Sequence, residues 1–556
     1  MAFVDTFLDE MRAHPDRPVV VEMHGDRAVP TAGRAFVELV ARARGALRGQ
    51  GVAAGDRVVL VAPNSTRWAA ADLAVLAEGA IAVPMYARQD RTELAWMIDD
   101  CEASLVLVPD ADLADQLREA GAKAPVLTFD ALFGGDPVDE PPRPRTPDDV
   151  VTIIYTSGTS GHPKGVMLTA GNVEHMLPIV RDALGRLMGA RQELERVFHY
   201  LPFCFAGSRL VLWVCLFRGQ PITVSTNLDD LATELGAAEP QYFLNVPALL
   251  ERIKNGVEQK VREQGGVAQR LYDAGRRAWL RRAAGEGSAR DAVVAAVARR
   301  VVFDRIRRRV GPRLECLICG SAPLGDDTQR WFEMLGIPVY QVYGLTETTG
   351  IVTMDEPGQA APGRVGHVIE GCEARLGEGD ELQVRGPNIF VGYWNRPEDT
   401  AASFTGDGWL RTGDQAEVDA DGNWRIVGRV KNLLVPTSGH NVAPEPIEQR
   451  IVERTPGVAH AVVMGHARPY LTAVVSGDTD RATVQASIDA INAELPHYRR
   501  IRAFHLTGEP LTPENGLLTA NQKLKRPALE AHFREAVDAL YADAAAAGSR
   551  SARSQA

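Results

Sequence analysis

A glycine- and hydroxyl-rich segment reads Thr156-Ser157-Gly158-Thr159-Ser160-Gly161-His162-Pro163-Lys164-Gly165 and directly follows an apolar run at residues 150–155. The run predicts a buried strand. In the loop after it, glycines let the backbone approach a polyphosphate, hydroxyl and amide groups supply hydrogen-bond donors, and the lysine neutralises charge. The spacing differs from the Walker motif, because no Gly-Lys-Ser/Thr follows four residues after a glycine. A polar surface loop is the alternative interpretation of this segment.

Helical and apolar segments alternate on both sides of this loop. The patterns predict helices at residues 35–50, 65–78, 91–101, 172–188 and 228–235, and strands at residues 58–62, 105–108, 221–225 and 242–245. Such alternation is typical of βα units, so we expect parallel strands with helices packed on the faces of the sheet.

The pattern changes in the last third of the chain. Short strands separated by turns dominate beyond residue 370, and a new unit begins near Gly428, with strands predicted at 458–465 and 471–475 and helices at 445–454 and 482–494. We therefore predict an α/β protein. Residues 1–428 form a large N-terminal domain of mixed and parallel sheets flanked by helices, with a β-rich subdomain. Residues 429–542 form a small α+β C-terminal domain, and the tail at 543–556 is expected to be disordered.

The composition indicates a globular enzyme. The 556 residues are 45% hydrophobic and 24% charged, which excludes a disordered or fibrous chain, and the length requires at least two units. The first residues include Asp5, Asp9 and Glu10, the wrong charge pattern for a secretion signal. The longest strongly apolar run, residues 210–217, is less than half of the ~20 residues that a membrane-spanning helix needs. We expect a cytoplasmic protein.

Six cysteines are scattered over the chain, so no disulfide framework is expected. Cys316 and Cys319 form a C-x-x-C motif inside the mostly apolar run at residues 314–319. A buried strand explains this run better than a redox site does, and no partner pair of cysteines completes a zinc site.

A basic helical insert covers about residues 254–313. Between Arg252 and Arg313 there are 17 Lys and Arg against 6 Asp and Glu, in a chain whose net charge is -11. Such a segment could contact anionic lipid headgroups at the inner face of a membrane. Solvated faces of surface helices, or contacts to a phosphate-rich ligand, are the alternatives.

Five further motifs follow the glycine-rich loop. They are Gly320-Ser321-Ala322-Pro323-Leu324, Tyr343-Gly344-Leu345-Thr346-Glu347, Trp409-Leu410-Arg411-Thr412-Gly413-Asp414, Gly428-Arg429-Val430-Lys431 and Gly516-Leu517-Leu518-Thr519-Ala520-Asn521-Gln522-Lys523-Leu524-Lys525-Arg526. In order and spacing, the six together resemble the adenylate-forming superfamily of acyl-CoA synthetases, luciferases and peptide-synthetase adenylation domains. The resemblance covers nearly the whole chain.

The resemblance implies roles for the motifs before residue 400. The ATP phosphates would contact the loop residues Thr156, Ser157, Gly158, Thr159, Ser160, Gly161 and Lys164. Adenine would contact Gly320, Ser321, Ala322 and Pro323 and stack on Tyr343 beside Gly344. Thr346 would contact phosphate and Glu347 would hold Mg²⁺, which prefers oxygen ligands.

The later motifs receive roles in the same way. Asp414 and Arg429 would bind the ribose, and Lys523 would be the catalytic lysine. Lys431 would be the hinge pivot, and the resemblance implies that the C-terminal domain is mobile about it. The segment Ser438-Gly439-His440 would line the thiol tunnel. The implied reaction uses ATP, Mg²⁺ and CoA to convert a carboxylic acid to acyl-AMP and then to acyl-CoA.

The substrate class follows from a closer resemblance to the long-chain branch of the family. Leu201-Pro202 with Arg209 resembles its gate motif, Tyr242-Phe243-Leu244-Asn245-Val246-Pro247 its pocket strand, and Val442-Ala443-Pro444-Glu445-Pro446-Ile447-Glu448 is typical of it. The gate position that is His in most relatives is Phe205 here. The acyl pocket is thus assigned to Phe205, Arg209 and Asn245, and a long-chain fatty acid is expected.

Two other functions stay open. The enzyme could pass a specialised or aromatic acid to a carrier protein, an amine or another nucleophile. Alternatively, the chain could be a non-catalytic nucleotide-binding or membrane-docking protein, although Glu347, Asp414, Arg429 and Lys523 together argue against that. No nucleic-acid partner is expected, and the oligomeric state is open.

Overall fold

The computed structural model describes residues 3–156, 163–189, 193–512, 515–519 and 523–542. The chain divides into two compact units. The first comprises Met1–Ala374, Val384–Leu410 and Ala420–Trp424, and the second comprises Arg375–Gln383, Arg411–Asp419 and Arg425–Ala556. The domain boundary at residue 428 and the mobility of the C-terminal domain stay predictions, and the tail at 543–556 lies outside the described residues.

The strands are β1 (Pro18–His24), β2 (Arg27–Ala32), β3 (Arg57–Val61), β4 (Ile81–Met85), β5 (Leu105–Val108), β6 (Val126–Thr128), β7 (Val150–Thr156), β8 (Lys164–Thr169), β9 (Val197–His199), β10 (Ile222–Ser225), β11 (Tyr242–Asn245), β12 (Leu317–Cys319), β13 (Val339–Tyr343), β14 (Thr353–Met354), β15 (His367–Val368), β16 (Glu373–Leu376), β17 (Glu381–Arg385), β18 (Gly392–Tyr393), β19 (Leu410–Val418), β20 (Trp424–Arg429), β21 (Val458–Met464), β22 (Leu471–Gly477) and β23 (Ile501–Thr507).

The α-helices are α1 (Phe3–Ala13), α2 (Gly33–Gly49), α3 (Thr66–Ala77), α4 (Arg91–Asp100), α5 (Ala111–Glu119), α6 (Phe129–Phe133), α7 (Ala170–Met188), α8 (Ala206–Phe217), α9 (Leu231–Ala238), α10 (Pro247–Gln264), α11 (Gly266–Ala283), α12 (Ala289–Ala298), α13 (Asp304–Val310), α14 (Asp326–Met334), α15 (Pro397–Ala402), α16 (Glu445–Arg454), α17 (Arg481–Glu494) and α18 (Arg526–His532). A π-helical turn, Arg299–Phe303, joins α12 to α13, and 3₁₀ turns cover Leu228–Asp230, Thr346–Thr348, Glu378–Asp380, Val430–Asn432 and His497–Arg499.

Two large sheets form the first unit. One has the order β15-β14-β13-β12-β11-β9-β10-β1-β2 and the other β18-β8-β7-β4-β3-β5-β6. Their inner strands pair in parallel, whereas β2, β14, β15, β8 and β18 pair antiparallel towards the edges. The prediction of an α/β fold with mixed and parallel sheets is therefore confirmed.

The helices begin where the sequence supplies caps. Ser65 accepts a hydrogen bond from the Trp68 amide at the start of α3, and Thr169 and Asn172 form a capping box at the start of α7. Between residues 228 and 235, where one helix was predicted, α9 begins only at Leu231. The side chain of Asn227 accepts a hydrogen bond from the Asp229 amide and favours a 3₁₀ turn before the helix.

The second unit contains a four-stranded sheet of order β16-β17-β19-β20 and a three-stranded sheet of order β21-β22-β23. The strand β22 pairs antiparallel with β21 and in parallel with β23, and α16 and α17 cover an aliphatic core that includes Ile447, Ile451 and Ile488. This is the predicted α+β character of the C-terminal region.

The C-x-x-C motif lies in the core of the first unit. Cys316 and Cys319 are both buried at β12, and burial raises the pKa of the Cys319 thiol far above its usual value. A buried strand was the interpretation favoured by the sequence. Within the described ranges, no helix is both long enough and apolar enough to cross a membrane.

Candidate active site

The predicted metal ligand Glu347 lies in the 3₁₀ turn Thr346–Thr348, directly after β13 and the predicted adenine-stacking residue Tyr343. The segment at residues 388–390 holds this turn. The Phe390 amide donates to the Glu347 carbonyl at 2.9 Å, and the Asn388 side chain donates to the Thr348 carbonyl at 3.2 Å. Thr346 shares the turn, so the two predicted ligands of the phosphates and metal are placed together by one short, anchored element.

The side chain of Glu347 is held by Tyr393. The Tyr393 hydroxyl donates a hydrogen bond to Glu347 Oε1 at 2.8 Å. Burial, and next the nearby Glu347 charge, raise the pKa of Tyr393, so the hydroxyl stays protonated and remains a donor. This contact fixes one carboxylate oxygen of the predicted metal ligand.

Tyr393 also connects Glu347 to the glycine-rich loop. The strand β18 pairs Tyr393 with Val166 of β8, the strand that begins at Lys164. The Lys164 Nζ lies 5.3 Å from the centroid of the Tyr393 ring and 2.6 Å from Asp399 Oδ1 in α15. The structure therefore brings the lysine of the predicted phosphate loop and the predicted metal ligand to the same tyrosine.

The two ends of the glycine-rich loop face each other. Thr156 is the last residue of β7 and pairs in register with Lys164, the first residue of β8. Ser157, Gly158, Thr159, Ser160 and Gly161 lie between them and outside the described residues. Their assignment to the phosphates stays a prediction.

The predicted adenine loop follows β12 and runs next to β13. A Cβ atom at Gly320 would lie 2.8 Å from the Val342 side chain, and one at Gly344 would lie 2.3 Å from the Gly350 carbonyl oxygen. Glycine is required at Gly344, where two backbones approach each other, and at Gly320, where an added Cβ would collide with the Val342 side chain. Ser321, Ala322 and Pro323 are exposed, and Ser321 has φ +71°, a conformation that non-glycine residues adopt only under local constraint.

Asn245, assigned to the acyl pocket, is the last residue of β11 and is fully buried. Its backbone carbonyl accepts a hydrogen bond from the Gly320 amide at 3.1 Å, and its Nδ2 donates to the Phe243 carbonyl. Its Oδ1 has no hydrogen-bond partner within the described part of the chain. Asn245 thus lies directly beside the predicted adenine loop.

Phe205 lies at the start of α8. Its ring is 6.1 Å from the ring of Tyr86, which follows β4, with an angle of 32° between the ring planes. Two residues further on, Gly207 approaches Gly350, where an added Cβ would lie 3.4 Å from the Gly207 Cα. The predicted gate is therefore next to the loop that continues from the Glu347 turn.

Arg209 faces inward from α8 and is fully buried. It forms an ion pair with Asp72 of α3, donates to the Thr152 hydroxyl, and lies 4.4 Å above the ring of Trp213. Burial lowers the pKa of Arg209 and raises that of Asp72, and their mutual attraction opposes both shifts. The structure places Arg209 behind Phe205 in a closed polar network, and its role in the acyl gate stays a prediction.

The predicted ribose residues meet on neighbouring strands of the second unit. Arg429 at the end of β20 forms an ion pair with Asp414 of β19, with Nε and Oδ1 2.8 Å apart, and also donates to the Thr412 carbonyl. Thr412 in turn binds the Leu382 carbonyl of β17 and accepts from the Asp414 amide. Lys431 follows immediately, in the turn Val430–Asn432.

Lys523 is exposed and lies beside Thr519 in the same unit. Its amide donates to the Thr519 hydroxyl at 3.1 Å, and its carbonyl accepts from the Thr519 amide at 2.8 Å. Directly after it, Arg526 forms a 2.5 Å ion pair with the buried Glu448 of α16. These contacts position the backbone at Lys523.

The predicted thiol-tunnel residues form the tip of an exposed loop. Reciprocal hydrogen bonds of 2.9 Å between Leu434 and Val442 close this loop, which carries Ser438, Gly439 and His440. The His440 ring stacks on Tyr498 with 4.2 Å between the ring centroids. The loop is thus held in a defined shape.

Mg²⁺ fits the residues that are present. In the described ranges, no three His, Cys, Asp or Glu side chains gather into a metal site. A single carboxylate is nevertheless the usual protein contribution where Mg²⁺ is held mainly by nucleotide phosphates and water. Glu347 offers such a carboxylate, positioned by Tyr393 and close to Lys164.

Three contributors escaped the sequence-based prediction, namely Tyr393, Asp399 and Tyr86. Tyr393 is 46 positions from Glu347 in the chain, and its isolated pattern Gly392-Tyr393-Trp394 indicates only a short strand. No sequence signal pairs it with a carboxylate.

Comparisons with protein families and with known proteins agree on one family of enzymes. A family model described as AMP-binding enzyme matches residues 7–394, and one described as the C-terminal domain of AMP-binding enzymes matches residues 431–545. A long-chain-fatty-acid–CoA ligase of Mycobacterium bovis is 28% identical over 543 residues, covering 88% of this chain and 89% of the relative. The peroxisomal long chain acyl-CoA synthetase 7 of Arabidopsis thaliana is 28% identical over 597 residues, covering 94% and 83%.

Solved structures share the fold. The adenylation domain of a carboxylate reductase from Mycobacterium chelonae superposes with a TM-score of 0.80 at 23% identity, covering 98% of this chain and 91% of that one. ATP-bound MatB from Rhodopseudomonas palustris superposes with a TM-score of 0.73 at 24% identity, covering 95% and 99%.

Proposed function

Because the chain belongs to the AMP-binding enzyme family, and therefore binds ATP and activates a carboxylic acid as its adenylate, we propose that it converts a long-chain fatty acid to acyl-CoA. The observation that carries the proposal is the cluster of Lys164, Tyr393 and Glu347, which joins the predicted phosphate loop to the predicted metal ligand. This arrangement, together with Asp414, Arg429 and Lys523, favours a catalytic protein over a non-catalytic protein of the same fold.

The substrate class rests on relatives and on the gate. Relatives over most of the chain carry names of long-chain fatty-acid ligases and synthetases. The aromatic pair of Phe205 and Tyr86 would form an apolar gate beside the Glu347 turn, and apolar surface favours an aliphatic chain over a charged or hydrophilic acid. CoA is proposed as the acceptor on the same grounds.

In the first step, a carboxylate oxygen attacks the α-phosphorus of ATP, the acyl-phosphate bond forms, and the bond to pyrophosphate breaks. Lys164 would bind the phosphates and exchange its partner Asp399 for them. Lys523 would bind the carboxylate and α-phosphate oxygens, where negative charge accumulates. Mg²⁺ bound at Glu347 would neutralise charge on the phosphates.

In the second step, the thiolate of CoA attacks the acyl carbonyl carbon and AMP leaves with the bonding electrons. The attacking thiol needs access to a carbonyl that Lys523 contacted in the first step. We assign Lys431 as the pivot of a rearrangement that exposes the carbonyl, and Ser438, Gly439 and His440 as the residues near the thiol.

The proposal is tested by measuring AMP release from ATP and Mg²⁺ with carboxylic acids from acetate to oleate and with aryl acids, with and without CoA. We expect CoA-dependent turnover that is greatest for long acyl chains. Lys523→Ala should lower adenylate formation at least ~100-fold, the loss typical of removing a charge-stabilising group. Lys260→Ala, an exposed lysine of α10, is the matched control and should retain full activity.

Other outcomes assign other functions. Turnover confined to aryl acids would refute the fatty-acid assignment, and AMP release unaffected by CoA would refute CoA as the acceptor. If the folded protein catalyses pyrophosphate exchange with none of the acids in the panel, the proposed reaction is contradicted altogether.

A further inference from the structure

The basic insert carries an apolar ridge on its outer side. Val293, Val297 and Val301 follow one another at intervals of four residues along α12 and the π-helical turn, with 64%, 47% and 43% of their surfaces exposed. Such spacing places the three side chains on one face of a helix. Large aliphatic side chains this exposed are uncommon, and three in a row form a continuous strip.

The opposite face of the same helix is fixed by packing. Ala295 and Ala298 are buried, and a Cβ atom at Gly275 of α11 would lie 2.2 Å from Ala298. Phe303 packs edge-on against Tyr272 of α11, with ring centroids 6.0 Å apart. The helix cannot rotate to bury the valine ridge without losing these contacts, so the ridge stays on the surface.

Arginines follow the valines along the same segment. Arg300, Arg305, Arg308 and Arg309 are exposed, and none of them forms an ion pair with any residue in the described ranges. Some basic residues of the insert are neutralised, since Arg276 pairs with Glu258 and Asp327, and Arg281 pairs with Asp291. Others are exposed and form no ion pair within the described ranges, namely Lys260, Arg262, Arg270, Arg277, Arg282 and Arg290. Uncompensated positive charge therefore extends over the insert and includes the segment that carries the valines.

We propose that this face, residues 289–310, docks on an anionic phospholipid surface. A helix with an exposed aliphatic strip and a cationic flank lies in the plane of a membrane interface, with the aliphatic side chains among the acyl chains and the arginines at the headgroup phosphates. Charge complementarity selects the occupant, because the insert between Arg252 and Arg313 carries 17 Lys and Arg against 6 Asp and Glu in a chain whose net charge is -11.

A lipid surface also explains the combination of the two features. An acidic protein or a nucleic acid would use the arginines but would have no use for three exposed valines. A second copy of the chain would cover the valines but would bring the four arginines against their own equivalents. The docking surface does not depend on the acyl specificity proposed above.

The test is co-sedimentation of the full-length protein with vesicles of phosphatidylcholine alone or mixed with phosphatidylglycerol. We expect binding only to the mixed vesicles, and loss of that binding in about 1 M salt, where charges are screened over ~3 Å. The double variants Val293→Asp/Val297→Asp and Arg305→Glu/Arg308→Glu should each bind at least ~10-fold more weakly, since each removes one of the two interactions.

Matched controls are Leu228→Asp, an exposed leucine outside the insert, and Arg534→Glu, an exposed arginine of the second unit; both should bind as the unsubstituted protein does. Unchanged thermal unfolding and ATP–pyrophosphate exchange in the variants establish that they are folded. Sedimentation of the unsubstituted protein without lipid, or equal binding by all variants, overturns the proposal. A dimer that dissociates on the Val293→Asp/Val297→Asp change would assign the face to a second copy and also overturn it.

Discussion

At the scale of single residues, the Tyr393 hydroxyl is the contact that determines how Glu347 is presented. A carboxylate on a surface turn samples several rotamers, and a hydrogen bond to one oxygen restricts that freedom. Because Tyr393 also lies under the Lys164 ammonium, one side chain restrains both groups that would contact the phosphates and their metal.

Replacing Tyr393 by Phe removes the donor and keeps the ring under Lys164. A hydrogen bond to a charged acceptor contributes about 1.5–3 kcal/mol, so we expect adenylate formation at limiting Mg²⁺ to fall roughly 10-fold or more. The loss should appear as a raised Mg²⁺ requirement, measured by pyrophosphate exchange over a Mg²⁺ titration, and saturating Mg²⁺ should restore much of the rate.

The control for this variant is Tyr272→Phe, which removes a tyrosine-to-glutamate hydrogen bond of 3.0 Å to Glu258 in the insert. It should leave the Mg²⁺ dependence unchanged, although it loses some stability. Identical Mg²⁺ titrations for Tyr393→Phe and the unsubstituted protein would show that Tyr393 has no positioning role.

At the scale of elements, a buried ion pair ties α8 to α3. Arg209 and Asp72 are both fully buried, and Asp72 also accepts from the Trp213 indole at 3.1 Å. Removing one member of such a pair leaves an uncompensated charge in the core, whereas removing both leaves none. The pair therefore fixes the position of the helix that begins at Phe205.

We expect Arg209→Met to lower the free energy of unfolding by about 3–5 kcal/mol, because Asp72 is left unpaired. Asp72→Asn should be destabilising for the same reason. The double variant should lose clearly less than the sum of the two single losses, as measured by urea unfolding followed by tryptophan fluorescence. Additive losses would mean that the two charges are not coupled in the folded protein.

At the scale of the whole molecule, Asp355 makes the stability of the first unit dependent on pH. It is buried after β14, and its Oδ2 accepts from the Gln341 amide at 2.8 Å. Its Oδ1 has no hydrogen-bond partner within the described residues. Burial raises the pKa of Asp355 to about 7.

The sign of the effect follows from this raised pKa. Between its ordinary value near ~4 and about 7, the carboxyl is protonated in the folded protein and ionised in the unfolded chain, so the folded state binds more protons. The Asp355 carboxyl therefore lowers the free energy of unfolding as the pH rises from ~4 to about 7. The loss is complete above about pH 7, where a buried charge must be maintained.

Asp355→Asn keeps the shape and removes the ionisable group. We expect the stability of the variant relative to the unsubstituted protein to be greater at pH 8 than at pH 5, by about 1 kcal/mol or more, because most of the range from ~4 to about 7 lies between these two pH values. Thermal unfolding at the two pH values measures the difference, and Asp182→Asn on the exposed surface is the control. The raised pKa would be contradicted if Asp355→Asn and the unsubstituted protein differed in stability by the same amount at both pH values.

Most of the regular elements could be predicted from the sequence. The patterns around β5, β11, α4, α7 and α16 gave bounds within two residues of those observed, because each depends on periodicity and capping within a few positions. The bounds were less accurate for α9, where a local Asn–Asp hydrogen bond starts a 3₁₀ turn instead. The order of the six motifs likewise required no tertiary information.

The contacts that organise the candidate site could not be predicted in this way. Tyr393 meets Glu347 from 46 positions away, and Asp72 meets Arg209 from 137 positions away. Such partners depend on which strands become neighbours and which helix face turns inward, and these are decided by packing of the whole unit. For the same reason, the sequence identified the insert as basic but not which of its arginines are neutralised.

The sequence by itself thus determined the α/β class, the family and the identity of the groups that would carry the chemistry, because short-range periodicity and motif chemistry are local properties of the chain. Only the tertiary structure decided that Lys164 and Glu347 share Tyr393, that Arg209 is enclosed with Asp72, and that three valines remain exposed beside unpaired arginines. These facts depend on burial and on long-range contacts, which exist only once distant segments have packed together.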